Sequence, residues 1–459
     1  MNTPSRPPDE TLLDPLRYTA DALADDMVSR IVGPWQALPD SPLLQAALSA
    51  NTLPWQRMAM VSPIFGKWQN NQSLRDWQAD PANTPPDIAA ELERFVHQAQ
   101  VLPDWADAGQ IERAEQIFLE HGVLSCTLLF CASLPECYVI PDLSSVLQAT
   151  GQLAKHTDYR IRATAAMVFP VMMPGGLMGP QGNGIAQILK VRLIHATVRN
   201  LLLRGHPAHA LASHTPPHGH TDQGAVPPLV STQPSTSMQT TLFALGWDVN
   251  EKGLPCNQEE LAYTLLTFGY VFLRSLRRLG IGLPSTDEEA YLHAWNVVGH
   301  VLGLQADLRV DRMVDAEILF AQLQTKGHRD PVSPDPRPAL AQALVRTMQQ
   351  VLPLRVLKPF PILLTRYLCG RVTSRYLGLT SRISWLPQQL FAICLLTAMG
   401  IDRVVRLLFP RFSISRLITR WLGAHFMTEL LLSQTRELQL PGPLRNQVQS
   451  VMAAGRNKQ

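Results

Sequence analysis

His195 is the residue whose type and position most clearly suggest chemistry. It lies on a predicted helix from Gly184 to Leu203, and at about 100° per residue it falls on an apolar stripe. The stripe is formed by Ile188, Val191, Val198 and Leu202. Arg192 and Arg199 stand three residues before and four residues after His195, so they flank the stripe along one edge.

One face of this helix therefore presents an imidazole, an apolar surface and two guanidinium groups, which together suit a haem. The iron takes a proximal histidine, the macrocycle needs apolar contacts, and the propionates need cations. This interpretation makes His195 the metal ligand, with Arg192 and Arg199 as further cofactor-binding residues. A second interpretation stays open from the residues alone: a histidine satisfied within the core, beside two solvated arginines.

Arg160 and Thr164 form the second candidate pair, on an otherwise apolar helix before the His195 helix. Four residues apart, they share one helical face. Burying an arginine and a threonine there is costly unless both are paired. They therefore suit a pocket in which they orient or hydrogen-bond an oxygen species. The alternative is an arginine in water and a threonine bonded back to its own helix.

A bend with five glycines, Met173 to Gly184, joins these two helices. The glycines allow a tight turn or a close approach of the backbone to a flat cofactor. Their order does not match the dinucleotide-binding fingerprint, and no strand precedes them. We therefore do not expect a phosphate site here.

Helical periodicity positions all of these residues. Apolar residues recur at three-and-four spacing in long runs. The clearest runs are Ala108 to Leu134, Gly184 to Leu203, Gln258 to Leu279 and Asp287 to Leu304. Asn257 is a predicted N-cap for the third run, and Gly280 its predicted end. The fold class is therefore all-α. We expect a single large helical core, with globin-like packing as one option, that encloses one haem.

Two segments interrupt the helical pattern. Residues 205 to 241 are rich in Pro, Ser, Thr and His, including His206 and His220. Clustered imidazoles can bind transition metals, but this composition favours a flexible inserted loop. Residues 327 to 337 hold three prolines and form a shorter linker. We expect one helical domain over 1–435 with the loop at about 205–241, and a tail over 436–459.

Composition excludes several classes of protein. The net charge of the 459 residues is only +3, and basic residues are not interleaved with aromatic ones, so no nucleic-acid partner is expected. The six cysteines include no CxxC pair and are typical of buried or free thiols in a reducing compartment. The first residues lack the apolar run of a signal peptide. These features favour a cytoplasmic protein.

Charged residues make up 17% of the chain, below the average of about 25%, so a large apolar surface must be covered. The most apolar stretch, Trp385 to Ile401, contains a proline and two glutamines, and we interpret it as a buried helix. The following segment, Arg403 to Arg420, mixes arginine with Leu, Ile and Phe. It suits peripheral contact with a membrane or a lipidic substrate, or a core helix with a solvated edge, and both interpretations stay open.

The region from Tyr159 to Arg199 resembles the latex clearing proteins and the wider MpaB-type oxygenases. The motifs are RIRAT, which contains Arg160 and Thr164, and VRLIHATVR, which contains His195. Flanking segments follow in the family's order: LPDWADAGQIERAEQIFLEHG, LPECY, VLQATGQL, LPCNQEELAYTLLTFGYVFLRSLRRLGI and AYLHAWNVVGHVLGL. The resemblance is closest from Leu102 to Leu308.

The resemblance implies a helical fold with one haem b, His195 as proximal iron ligand, and Arg160 and Thr164 in the pocket region. It implies an oxygenase that uses O2 to cleave carbon–carbon double bonds of an isoprenoid or other apolar substrate. Latex clearing proteins typically carry a lysine where this chain has Ala163, and their pocket glutamate has no aligned counterpart here. The alternative is therefore a non-catalytic haem-binding or membrane-peripheral protein of the same fold.

Overall fold

The computed structural model describes residues 13–32, 60–61, 64–150, 157–204, 247–329, 335–352 and 354–408. In these ranges the regular structure is helical throughout and no strand occurs, which confirms the all-α prediction.

Sixteen α-helices can be followed through the described residues. The first eight are α1 (Ala22–Val32), α2 (Asn71–Arg75), α3 (Pro86–Ala99), α4 (Ala108–Leu128), α5 (Leu134–Tyr138), α6 (Pro141–Thr150), α7 (Thr157–Met172) and α8 (Gly184–Arg204). The second eight are α9 (Val249–Lys252), α10 (Gln258–Phe268), α11 (Tyr270–Arg278), α12 (Ser285–Leu302), α13 (Met313–Gly327), α14 (Arg337–Val351), α15 (Phe360–Tyr376) and α16 (Trp385–Leu408).

One continuous cluster of buried apolar side chains joins the helices before and after the long loop. It runs from Leu13 to Leu379 along the chain, which confirms a single large helical core. Helix α4 packs along α12, and α7 packs against α8. Helix α8 also contacts α1 and α12, so the helix that carries His195 is supported from several sides.

Two long predicted helices are interrupted at glycines. The expected helix from Gln258 to Leu279 is split at Gly269, where α10 ends and α11 begins. A Cβ atom at Gly269 would lie 3.5 Å from the Trp295 side chain, an ordinary contact distance, so α12 packs directly against this break. The chain of α4 likewise bends at Gly122, whose backbone has φ 32° and ψ −96°. Single-helix periodicity cannot predict such breaks, because the apolar pattern continues through them.

The prediction that Trp385 to Ile401 forms a buried helix is correct about the helix and wrong about its burial. Trp385 is 73% exposed and Leu396 is 68% exposed. Helix α16 packs on the body through α15, where the rings of Phe391 and Phe360 lie 5.5 Å apart. An apolar segment predicts only that its surface avoids water, and the structure shows that the protein core covers little of it.

Among the described helices, none is by itself both long enough and apolar enough to cross a bilayer. The arms of the bent segment, Ala108–Gly122 and Leu124–Tyr138, satisfy length and composition only together. The histidine-rich loop lies within residues 205–246, outside the described residues, as does the expected tail over 436–459. Most of the segment from Arg403 to Arg420 also lies beyond them.

Candidate functional site

Helix α8 places His195 at the border between its buried and its open side. Leu193 and Ala196 on either side are fully buried, whereas Ile194 is exposed and His195 itself is partly buried. The predicted stripe is divided at this point. Ile188 belongs to the main core, whereas Val198 and Leu202 form a separate small cluster.

That separate cluster also includes Val146 from α6, with Trp247 and Cys256 packed against it. Aliphatic and aromatic side chains from three parts of the chain thus meet one turn beyond His195. They give the imidazole an apolar neighbourhood of the kind that a macrocycle contacts.

The surroundings of His195 keep its ring neutral. Burial, assisted by the nearby Arg199 guanidinium, lowers the pKa of His195 to about 4, and the Asp21 carboxylate opposes the shift only weakly. No described residue hydrogen-bonds the ring. A neutral imidazole with an uncommitted nitrogen is the form of histidine that binds a metal.

Arg192 is fully engaged by protein groups. Its Nε and Nη2 donate to the two carboxylate oxygens of Asp21 at 2.5 and 2.8 Å. Its Nη1 donates to the carbonyl oxygen of Val301 at 2.9 Å. Both partners of the ion pair are almost completely buried, so Arg192 ties the start of α1 and the end of α12 to α8.

Arg199 is even more buried, with 1% of its surface exposed, but its donors are only partly used. Its Nε lies 3.3 Å from Oδ2 of Asp25, an ion pair without hydrogen-bond geometry. Among the described residues, neither Nε nor Nη1 has a hydrogen-bond partner. Burial raises the pKa of Asp25 to about 6, although the charge of Arg199 acts in the opposite direction. Buried donors that stay unused are costly, so this guanidinium is suited to an additional acceptor.

The sequence analysis missed Asp21 and Asp25. They lie 171 and 174 residues before their arginine partners, and no local spacing links them to α8. It also missed Glu260 on α10, whose pKa burial raises to about 8. Glu260, Asp25 and Arg199 all act electrostatically on the partly buried Cys256 thiol, so this acid borders the same region.

The glycine-rich bend is held by two polar side chains from elsewhere in the chain. The amide of Gly175 donates to Oε2 of Glu115 at 2.8 Å. The Nδ2 atom of Asn71 donates to the carbonyl oxygens of Gly176 and Gly179, both at 2.9 Å. The Asn71 Oδ1 atom accepts from the amide of Ile185 at 3.1 Å. These bonds fix the way in which α7 returns against α8.

Thr164 lies on α7 and is partly buried, in the helix that packs on α8. Arg160 lies one turn earlier on α7, in a part of the helix where only the backbone is described. The structure therefore brings their helix to the His195 helix. The pairing of the two side chains with a ligand stays a prediction.

No group of three or more His, Cys, Asp or Glu residues suited to a metal ion occurs in the part of the chain that the structure describes. The six cysteines, all within the described residues, form no disulfide, and four of them are buried, in agreement with the sequence prediction. A haem iron needs only one protein ligand, and His195 has the chemistry that this ligand requires.

Comparison with known proteins gives three results. Residues 246–407 match the family described as "ER-bound oxygenase mpaB/B'/Rubber oxygenase, catalytic domain". A rubber oxygenase from Streptomyces sp. (strain K30) is 24% identical over 262 residues, which are 57% of this chain and 54% of that protein. The chain thus matches about half the length of this relative.

The fold is similar to that of latex clearing protein LCP in its closed state. The TM-score is 0.58, with 20% sequence identity, over 90% of this chain and 97% of that one. Together these findings confirm the resemblance to the MpaB and latex clearing protein family. The matched family segment begins after α8, so it does not test the roles of the predicted site residues.

Proposed function

We propose that this protein is a haem b-dependent oxygenase that uses O2 to cleave carbon–carbon double bonds in an isoprenoid or other apolar substrate. The observation that carries the proposal is His195. Its imidazole is held neutral, no described residue hydrogen-bonds it, and apolar side chains lie beside it. The confirmed family resemblance supports the oxygenase assignment, and the neutral histidine supports haem iron as the metal.

In this proposal His195 is the proximal ligand, and the cluster of Val146, Val198 and Leu202 contacts the macrocycle. Haem supplies, when bound, the redox chemistry that activates O2. Arg199 is the preferred contact for a propionate, because no described residue accepts a hydrogen bond from its Nη1. Arg192 can bind a propionate only if it releases Asp21, so its first role is to hold α1 against α8.

Thr164 and Arg160 are the proposed polar groups of the pocket. A hydroxyl and a guanidinium that face a dry site stabilise negative charge that develops on an oxygen atom, without having to reorient. Apolar side chains surround Thr164 along α7, including the buried Ala165, Val168 and Phe169. Thr164 is therefore a scarce polar group on a helix face that otherwise excludes water.

The decisive test measures haem content rather than activity. We expect the wild-type protein, purified with haem or reconstituted, to show a Soret band and about one haem per chain. His195→Ala should lose this band, and His195→Gly should regain it when imidazole is added. His97→Ala is the matched control, because His97 is exposed on α3 far along the chain from α8, and it should keep wild-type haem content. A His195→Ala variant with an unchanged Soret band would refute the ligand assignment.

The second candidate is a haem-binding protein of the same fold that does not catalyse oxygen chemistry. The presence of Ala163, where relatives typically carry lysine, favours it. Oxygen uptake by the haem-loaded protein separates the two functions. Consumption of O2 that depends on an added isoprenoid chain supports the oxygenase, and its absence across polyisoprene and short prenyl compounds supports the binding protein.

A further inference from the structure

Helix α16 presents an apolar face that the rest of the described protein does not cover. Trp385, Leu386, Ile393 and Leu396 are all more than half exposed. At about 100° per residue these four side chains fall within about a quarter of the helix circumference. The opposite side of the helix carries Phe391, which packs on Phe360 of α15. The apolar face is thus turned away from the body, which is the reverse of an ordinary surface helix.

The sequence around this helix is strongly basic. From Pro336 to Thr428 the chain holds 13 Lys and Arg residues and a single acid, Asp402. The remaining chain holds 27 basic residues against 36 acids, so the positive charge of the protein is concentrated in this one segment. Residues 385 to 401 carry no charge at all, so the apolar face is uncharged and basic residues flank it.

Several of these basic side chains are exposed in the part of the chain just before α16. Arg371 and Arg375 lie at the end of α15, and Arg382 lies in the link that leads to Trp385. Within the described residues none of the three takes part in an ion pair. Exposed cations that precede an apolar helix face, with a tryptophan at the start of that helix, are features that recognise a membrane–water interface.

We propose that the outer face of α16 docks on the surface of a membrane that contains anionic phospholipid. The helix lies in the plane of the interface, with Trp385, Ile393 and Leu396 among the acyl chains and the flanking arginines at the phosphates. This inference does not depend on haem binding or on the oxygenase reaction.

Two other occupants fit the charges less well. A pairing of α16 with a second copy would bring two strongly basic segments together, and like charges repel. The chain beyond α16 adds Arg411, Arg416 and Arg420 before its first acid, Glu429, so it increases the positive charge rather than neutralising it. An anionic lipid surface complements both the apolar face and the charge.

Flotation of the full-length protein with vesicles tests the proposal. The vesicles are phosphatidylcholine alone or phosphatidylcholine mixed with phosphatidylglycerol. We expect the wild type to float with the anionic vesicles and to bind less at high salt, because screening weakens the arginine contacts. The double variant Ile393→Glu/Leu396→Glu should bind the anionic vesicles at least about tenfold more weakly.

The matched control is Val314→Glu/Ile318→Glu, which changes two exposed apolar residues on α13. It adds the same negative charge and should keep wild-type binding to within about twofold if the effect belongs to α16. Arg371→Gln/Arg382→Gln should weaken binding to the anionic vesicles and leave any binding to neutral vesicles unchanged.

Three results overturn the proposal. In the first, the wild type fails to float with either vesicle. In the second, the α16 double variant alters the oligomeric state by light scattering but not vesicle binding, which identifies a second copy as the occupant. In the third, the α16 double variant lowers the melting temperature far more than the α13 control does, which shows that the chain itself covers the face.

Discussion

Helices α8 and α16 are similar in length and both are rich in aliphatic residues, yet they lie in opposite environments. Helix α8 is packed on several sides although it carries Arg192 and Arg199, both almost completely buried. Helix α16 has no charge in its first seventeen residues and is largely exposed there. Hydropathy alone would therefore predict that α16 is the more buried of the two helices, whereas the structure shows that α8 is.

The difference lies in what the rest of the chain supplies. Helix α1 and the residue before it bring Asp25 and Asp21 to α8, so two guanidinium groups can leave water without losing their counter-charges. An unpaired buried charge would be far too costly. Helix α16 is contacted mainly by α15, which covers one side of it. Burial follows from available partners as much as from the composition of a helix.

The largest expected effect comes from breaking the partnership that keeps α8 buried. Asp21→Ala leaves the Arg192 charge buried without its carboxylate, and we expect a loss of about 3–5 kcal/mol in the free energy of unfolding, measured in urea. Asp26→Ala is the control, because Asp26 forms exposed ion pairs with Arg30 and Arg94, and it should cost less than about 1 kcal/mol. Equal losses in the two variants would show that the buried pair is not special.

The same comparison extends to Glu260, a buried acid whose charged neighbours include the acids Asp142 and Glu259. Burial raises the pKa of Glu260 to about 8, so the folded state holds a proton that the unfolded state releases near the ordinary pKa. The stability that this group contributes is therefore fully present below its ordinary pKa and is lost as the pH rises from there to about 8. Glu260→Gln cannot ionise. Its free energy of unfolding, relative to that of the wild type, should therefore rise by at most about 1.4 kcal/mol per pH unit between the ordinary glutamate pKa and pH 8.

Urea midpoints of the two proteins at pH 5, 7 and 9 check this expectation. The advantage of the glutamine variant should grow from pH 5 to 8 and then level off. Glu259 and Asp142 also face Glu260, so the comparison uses the difference between the two proteins rather than either curve alone. Parallel curves would show that Glu260 is ionised in the folded state.

A smaller effect is expected for Thr164, and it appears in turnover rather than in stability. If its hydroxyl stabilises charge in the proposed pocket, Thr164→Val should keep fold and haem but lower turnover by about 10²-fold, by analogy with the loss of one oxyanion-hole donor. Thr197→Val on α8 is the control, because the Thr197 hydroxyl donates to the carbonyl oxygen of Leu193 in its own helix. Oxygen uptake and haem absorbance are measured together, and full turnover in Thr164→Val refutes the pocket role.

Local sequence signals predicted much of this structure. Asn257 begins α10 as expected, since its side chain accepts a hydrogen bond from the amide of Glu260 at 2.9 Å. The periodicity from Gly184 to Leu203 predicted α8 to within one residue. An N-cap and a helical stripe depend only on residues a few positions apart, so the sequence contains all the information they require.

Distant partners could not be predicted in this way. Nothing near Arg192 indicates that Asp21 will accept two of its hydrogen bonds, because the pair exists only after α1 has packed on α8. The break at Gly269 lies against Trp295 of another helix, and no local pattern in the sequence marks it. Trp385 is exposed because the other described elements cover little of it, and the local sequence contains no signal for this.

The smallest expected effect is that of Leu396→Ala, and its comparison with Leu193→Ala is the sharpest test of the contrast between the two helices. Leu193 on α8 and Leu396 on α16 are the same residue type in the same secondary structure, but one is fully buried and the other is 68% exposed. Leu193→Ala removes packed methyl groups and leaves a cavity, so it should cost about 2–5 kcal/mol. Leu396→Ala removes atoms that face solvent, and alanine favours the helix at least as well as leucine, so it should cost less than about 0.5 kcal/mol.

Urea unfolding without lipid gives the free energies of unfolding of both variants under one condition. If Leu396→Ala were as costly as Leu193→Ala, α16 would be packed inside the protein, and both the contrast and the membrane surface proposed for it would be wrong. If its cost stays small without lipid while its vesicle binding weakens, the apolar face of α16 contributes to association with a membrane rather than to the stability of the fold.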